Sequence, residues 1–411
     1  MILRILHLLV SVNVLTILAV TGIAGRAQAE ITVPVVRLVV MNDQSGAYSD
    51  NAGKGSVVAA QLAIDDFGGK VAGVPIEVVG VDDQNKPDIA AAQARKEIET
   101  DQAAALFDFA NTGVSLVVQE IAKDHNKVAV HVGSASADLY GKACSPTGAL
   151  WLYDTYSLAR GLAQAIYDEN HNKWFLLVVN YAFGQRMQED MTVAVEERGG
   201  TIVGAVRHPL NTADFSSYLL QAAGLEPQVL ALLNAGADAD NAVKQAAEFG
   251  LIKKGVRLAV PILALTEVHA MGAELAQGTT FLQGYYAFYD EASRAFAKRF
   301  AEKMNRPPTH IQAGVYSAVL HYLKAAAAAD TTDGRVVMQK MKELPVNDFM
   351  TKNAKLREDG RLMRDMLLVE VKKPQDVKDE WDLLEVHGVI PAEKIIRPLA
   401  AGNCPYVKAA Q

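Results

Sequence analysis

The chain has 411 residues, half of them hydrophobic, which is too much apolar material for a disordered protein and too long for one compact core. Its formal net charge is −7, so it lacks the basic footprint that nucleic acid demands. Two domains of helix-covered parallel sheet, filled with Ala, Val and Leu, fit these bounds.

The first residues have the pattern of an export signal. Arg4 stands alone in a short positive start, residues 5–23 are mostly Leu, Val, Ile and Ala, and Arg26-Ala27-Gln28-Ala29 puts small residues third and first before Glu30. Charged start, apolar middle and small-x-small exit predict cleavage of residues 1–29 after Ala29. The apolar run is also long enough for an uncleaved anchor, and the exit site weighs against that alternative. No Cys lies near the junction, so no lipid anchor is expected. Cleavage removes two basic residues and no acid, taking the net charge from −7 to −9. No later stretch approaches a membrane span; the alanines at 325–329 are few and sit between Lys324 and Asp330.

From there a short β-branched run followed by a helical stretch repeats. Residues 35–41 read as the first strand. Residues 53–67 read as the first helix, with Val57, Ala60, Ile64 and Phe67 at helical spacing and Gly68-Gly69 as the stop. A strand at 75–81, a helix at 88–100, a strand at 104–107, a helix at 113–126 and a strand at 128–132 follow. This order predicts a parallel sheet with right-handed crossovers. After Cys144-Ser145-Pro146 the pattern restarts. Helices are expected at 156–169, 185–198, 215–223, 238–249 and 267–276, with strands at 174–179, 201–206, 228–233, 257–263 and 281–286. Each set spans about 120 residues, an ordinary domain. The last third differs: helices at 291–305, 311–329 and 335–343, then strands at 366–371 and 381–386 around Lys372-Lys373-Pro374. It reads as material completing the first two domains.

Cys144 and Cys404 are the two cysteines. An even count in an exported chain invites a disulfide, free thiols being the alternative. The bridge would close a loop of roughly 260 residues, with an upper figure of about 5 kcal/mol in the chain-entropy model.

No catalytic constellation holds up. Gly53-Lys54-Gly55 lacks the third glycine of a dinucleotide fingerprint and stands away from its strand. No phosphate-binding loop, Gly-x-Ser-x-Gly elbow or His-Glu-x-x-His occurs. His125 and His131 have no partner at ligand spacing, so no metal and no cofactor is expected. Asp65-Asp66 reads as a solvated helix end, and Asp82-Asp83 as turn and cap residues.

Open α/β sheets bind ligands beyond the C-terminal strand ends. The loops there hold Ser45 and Tyr48 after the first strand, Phe109, Asn111 and Thr112 after the third, and Ser134, Ala135 and Ser136 after the fourth. The second set offers Tyr181, Phe183, Asn234, Thr266 and Glu267, and Tyr286 could supply an apolar wall. Backbone N–H groups at such helix starts hold small anions such as carboxylates. Any single loop reads equally well as a cap; six loops converging on one cleft favour a binding site.

At this point the chain resembles the periplasmic solute-binding proteins of the branched-chain amino acid type, which feed ATP-driven importers. The resemblance rests on the exported start, the two alternating sets, Ser45-Gly46-Ala47-Tyr48 before an Ala-rich helix ending Asp65-Asp66, the turn from Asp82 to Pro87, the segment from Tyr181 to Gly184, and the late Gly314-Val315-Tyr316 helix. It implies two doubly wound lobes joined by three crossovers near 151–155, 285–290 and 357–365, closing like a hinged clam. Lobe 1 would hold 30–152 plus 288–360, and lobe 2 would hold 153–287 plus 361–400, with the 401–411 tail tied to lobe 1. It implies that Asn111, Thr112, Ser134, Ala135 and Ser136 grip a carboxylate, that Tyr48 and Phe183 or Tyr181 flank it, and that Thr266 or Glu267 sits at the acid that holds an ammonium. If Glu267 faces the cleft, an amino acid fits. If it caps its helix, an aromatic acid between Tyr48, Phe183 and Tyr286 fits better, and some members of the family resemble aromatic-acid binders. The expected partner is a membrane permease. A periplasmic sensor is the rival, and an exported α/β hydrolase a more distant one.

Overall fold

A computed structural model describes residues 31–167 and 170–407; the expected signal and its cleavage site lie outside the described residues. The first sheet is built from β1 (Val36–Asn42), β2 (Lys70–Val71), β3 (Val74–Asp82), β4 (Ala105–Asp108), β5 (Val128–His131) and β6 (Gly148–Leu150). Its order is β2-β3-β1-β4-β5-β6, parallel except for the β2–β3 pair. Helices α1 (Gly53–Phe67), α2 (Pro87–Glu99) and α3 (Thr112–Asp124) are its crossovers. Local chemistry sets their ends: Gly68 closes α1 in a left-handed turn, Pro87 opens α2, and the Asn111 side chain caps α3.

The chain then crosses to a second unit. Helix α4 (Thr155–Ile166) opens on Asp154, whose carboxylate accepts from Ser157 N. β7 (Lys173–Val179), α5 (Ala182–Glu196), β8 (Thr201–His208), α6 (Ser216–Gly224), β9 (Val229–Leu233), α7 (Ala237–Glu248), β10 (Arg257–Ala259), α8 (Leu265–Met271), α9 (Ala273–Ala276) and β11 (Thr280–Gln283) follow. The chain returns to cover the first sheet with α10 (Glu291–Met304), α11 (His310–Ala329) and α12 (Gly334–Glu343), then makes a small hairpin of β12 (Lys355–Leu356) and β13 (Leu362–Met363). It crosses again to add β14 (Met366–Val371) and β15 (Leu384–Ile390) antiparallel to the second sheet, which runs β15-β14-β11-β10-β9-β7-β8. Helix α13 (Ala392–Ile395) packs on α4, and Cys404 is disulfide-bonded to Cys144. The architecture is two α/β lobes with mostly parallel sheets.

Several expected elements end differently. The strand expected at 257–263 stops at Ala259, and two residues later Pro261 has no N–H for a ladder. The helix expected at 267–276 breaks in two at Gly272, whose φ is +81°. The strand expected at 381–386 is instead β15, and the Trp381 ring stacks on His269 with centroids 3.8 Å apart. Asp66 is no solvated helix end. Its carboxylate accepts two bonds from Arg299, at 2.9 and 2.7 Å, and one from Tyr316 Oη at 2.7 Å, so it ties α1 to α10 and α11. These contacts hold its carboxyl below the usual carboxylate range, although its partial burial works the other way.

Where the lobes meet, Asp154 and Arg361 form a fully buried ion pair, Nε to Oδ2 2.8 Å. Arg361 also donates to Leu362 O at 2.7 Å and Leu152 O at 3.2 Å, while Asp154 accepts from Tyr140 Oη at 3.2 Å. Breaking a buried pair leaves an uncompensated charge and costs roughly 3–5 kcal/mol. Asp154→Asn is therefore expected to lower unfolding stability in urea by about 3 kcal/mol or more; a loss below about 1 kcal/mol would mean Arg361 does not depend on it.

Candidate functional site

The C-terminal ends of both sheets face a common cleft. The narrow cavity there takes walls from both lobes, including Tyr48, Thr112, Ala135, Tyr181 and Phe183. Tyr48 Oη and Tyr181 Oη lie 2.9 Å apart across it, and burial raises both phenols above their ordinary pKa. Ala237 N donates to Ala47 O at 3.3 Å, so the lobes touch at the rim as well. The structure is closed.

Thr112 and Ser134 bring two hydroxyls 3.4 Å apart beside the start of α3. Asn111 lies just outside the wall. Its Oδ1 accepts from Gly113 N and Val114 N, and its Nδ2 donates to Asn85, so the side chain is spent on structure. Ser136 caps the short turn after it by accepting from Asp138 N. Asn234 is buried against His208, 3.1 Å away, and its neighbour Ala235 lines the cavity instead.

Three expected residues are placed elsewhere. Ser45 is exposed and donates to Asp82 Oδ2 at 2.8 Å. Phe109 lies in the opposite layer of the first sheet, packed with Leu106 and against His131. Strand alternation would put it on the face of Phe107, but left-handed φ angles at Asp108 (+88°) and Phe109 (+60°) break the alternation. Tyr286 donates to Asp382 at 2.6 Å and accepts from Leu384 N, away from the cleft.

Several wall residues escape a reading by strand ends. Tyr153 comes from the first crossover, Ile311 from the start of α11, and Asn51 from the turn before α1. Nothing in the sequence around Tyr153 marks it as a wall.

Thr266 and Glu267 sit side by side in α8, both buried, and Thr266 Oγ1 has no partner. Glu267 Oε2 accepts from Ala264 N at 2.5 Å, while Oε1 has no partner. Neither Thr266 nor Glu267 lines the cavity; one Glu267 oxygen caps the helix, and the Asn51 side chain, a cavity residue, approaches the carboxyl and favours its ionised form. Burial raises the Glu267 carboxyl well above the carboxylate range, and neighbouring Asp240 raises it further. Asp240 is itself pushed up to about 6 by burial and by Asp50 across the cleft, with Lys244 opposing. Closure therefore gathers acids from both lobes.

A model of the family described as periplasmic binding protein matches residues 35–377. The chain belongs to that family. This periplasmic binding protein resembles a solved periplasmic binding protein from Burkholderia mallei, at 38% identity and a TM-score of 0.88, covering 91% of this chain and 100% of that one. It also resembles a branched chain amino acid ABC transporter periplasmic ligand-binding protein from Burkholderia xenovorans LB400, at 40% identity and a TM-score of 0.82, covering 90% and 99%. A Leu/Ile/Val-binding protein homolog 6 from Brucella abortus (strain 2308) is 26% identical over 298 residues, 71% of this chain and 75% of that one. The family is one of substrate-binding proteins of the ABC transporter type, which implies a periplasmic location and a permease partner.

Gly236 gives a direct test of closure. It has φ +63°, and a Cβ there would lie 2.4 Å from Ala47 O and 2.7 Å from Tyr48 Cδ1 in the opposite lobe. Gly236→Ala is expected to leave a folded protein, destabilised by roughly 1–3 kcal/mol of backbone strain, whose ligand affinity drops at least about tenfold. Unchanged affinity by calorimetry would mean the closed contact at Gly236 is not needed for binding.

Proposed function

We propose that the cleft binds an α-amino acid with an apolar side chain and hands it to a membrane permease, after removal of residues 1–29 at Ala29. In this reading residues 30–152 and 288–360 form one lobe, residues 153–287 and 361–400 the other, and they close over the ligand. The observation that carries the reading is the half-satisfied Glu267 carboxyl. A buried acid with one free oxygen is costly unless it is protonated or meets a cation. The repulsion that closure builds among Glu267, Asp240 and Asp50 is relieved by a cation entering beside Asn51. A ligand ammonium supplies that cation. The Thr112 and Ser134 hydroxyls suit its carboxylate, and Phe183, Ile262 and Tyr181 suit an apolar side chain. The Burkholderia xenovorans relative, described as a branched chain amino acid binding component, supports this ligand class and the permease partner.

A second reading keeps Glu267 protonated and seats an aromatic acid among Tyr48, Tyr153, Tyr181 and Phe183. Thermal unfolding separates the two. A ligand at a hundred times its dissociation constant adds about 2.7 kcal/mol, a shift of a few degrees. Leucine, valine and phenylalanine are expected to raise the Tm, with the shift lost in Glu267→Gln. A shift with benzoate or coumarate alone, kept in Glu267→Gln, would overturn the amino acid reading. N-terminal sequencing of the exported protein is expected to start at Glu30.

The same acids predict a pH dependence. An acid whose pKa is higher in the folded than in the unfolded state holds its proton longer when folded, so its contribution to stability fades as pH rises from about 4 towards about 6. An ammonium ligand favours the ionised forms. The leucine-induced Tm shift is therefore expected to grow between pH 4.5 and pH 7.5, and a constant shift would argue against an ammonium at these acids.

A further inference from the structure

A second cavity, of about 370 Å³, lies at the hinge and shares no wall residue with the cleft. Its walls are residues 284–290 of the second crossover, 349–354 of the loop before the small hairpin, 363–365 of the third crossover, and the outer face of β14, β15 and α13. At its wall stands Arg364, 5% exposed. Nη2 donates to Gly284 O at 2.5 Å and to Met350 O at 3.3 Å, but Nε and Nη1 have no partner. Among the described residues no carboxylate comes within 4.0 Å of the guanidinium. The two acids nearest in charge are engaged elsewhere: Asp348 accepts from Ser317 Oγ and Met350 N, and Asp365 accepts from Ala392 N. Beside Arg364, Thr351 Oγ1 is buried and also unpartnered. The other walls are mixed: Tyr285, Phe349 and Met363 offer an apolar side, Asp290, Asp365, Glu393 and Lys352 a charged one, and the exposed Tyr289 and Val389 stand at the rim.

We propose that this hinge cavity is a binding site for a small organic monocarboxylate with an apolar body. Arginine keeps its charge in proteins, and a buried guanidinium with open N–H groups calls for an anion. Burial lowers the Arg364 pKa only to about 10, so the charge persists at neutral pH. Asp290, Asp365 and Glu393 also line the cavity, so a single negative charge suits it better than two. The Arg364 N–H groups and the Thr351 hydroxyl meet the carboxylate, and the ring-lined walls take the apolar body. The site is independent of what the interlobe cleft holds.

The test uses the mature protein with 4-fluorobenzoate as probe, followed by fluorine NMR and calorimetry. Saturable binding is expected that survives Phe183→Trp, which fills the cleft, and that Thr351→Val and Arg364→Lys each weaken about tenfold or more. Both hinge variants should keep the far-UV circular dichroism and the cooperative thermal unfolding of the parent, which shows that they fold. Should Arg364→Lys fail to fold, Thr351→Val carries the test. Binding lost in Phe183→Trp but kept in Thr351→Val would place the probe in the cleft and overturn the hinge site. Absence of saturable binding would overturn it too, and would leave the free N–H groups of Arg364 to buried water. Absence of binding leaves the amino acid reading of the cleft untouched, whereas binding in the cleft would favour its aromatic-acid rival.

Discussion

The buried pair of Asp154 and Arg361 is the constraint on which the two-lobed arrangement depends. Asp154 ends the first crossover and opens α4, and Arg361 belongs to the third crossover. Arg361 donates to Leu152 O, and three residues on Arg364 donates to Gly284 O in the second crossover. The third crossover thus holds the other two by their backbone carbonyls. A buried ion pair is poor in net stability, because desolvation offsets the Coulombic attraction. It does penalise every arrangement in which either charge loses its partner. A two-lobed protein needs that specificity where three strands of chain must keep a fixed order while the lobes move.

Function follows from where this hinge leaves the strand ends. Parallel strands present their C-terminal ends to one crevice, and two such sheets facing each other make it a cleft. Each lobe then brings half of the site. Lobe 1 lines the cavity with Tyr48, Thr112 and Ala135, and lobe 2 with Tyr181, Phe183 and Ala235. The Tyr48–Tyr181 hydroxyl contact and the Ala237–Ala47 backbone bond join the two halves directly. The lack of a side chain at Gly236 lets the Ala47–Tyr48 backbone approach closely enough to complete the contact.

The sequence carries this fold where burial leaves a period. β1 reads VRLVVMN with only Arg37 half-buried, a near-continuous apolar run that marks a strand covered on both faces, and α1 is read to its observed ends because Gly68 closes it. β2, β12 and β13 have two residues each, too few to form a pattern. Site residues were legible where they follow a strand directly, as with Thr112, Ala135 and Phe183. They were misplaced where backbone conformation reverses a side chain, as at Phe109. They were missed where a distant segment brings them in, as with Ile311 from α11. That information is tertiary and has no local signature.

A raised pKa does not by itself mark the working acids of this protein. Asp83 is pushed up to about 7 and Asp108 to about 6, both by burial, and Asp43 and Asp108 raise Asp83 further. These acids sit beneath the first loop, where Asp43 accepts from Ser45, Gly46 and Tyr48 N–H and Asp108 accepts from Asn42 Nδ2. They order the turn that carries Tyr48, and all of them belong to one lobe. Their mutual repulsion is the same whether the clam is open or closed. Glu267 and Asp240 differ because Asp50 and Asn51 reach them from the opposite lobe. Among these carboxyls it is Glu267 and Asp240 that feel the opposite lobe, so theirs are the charges that respond to closure.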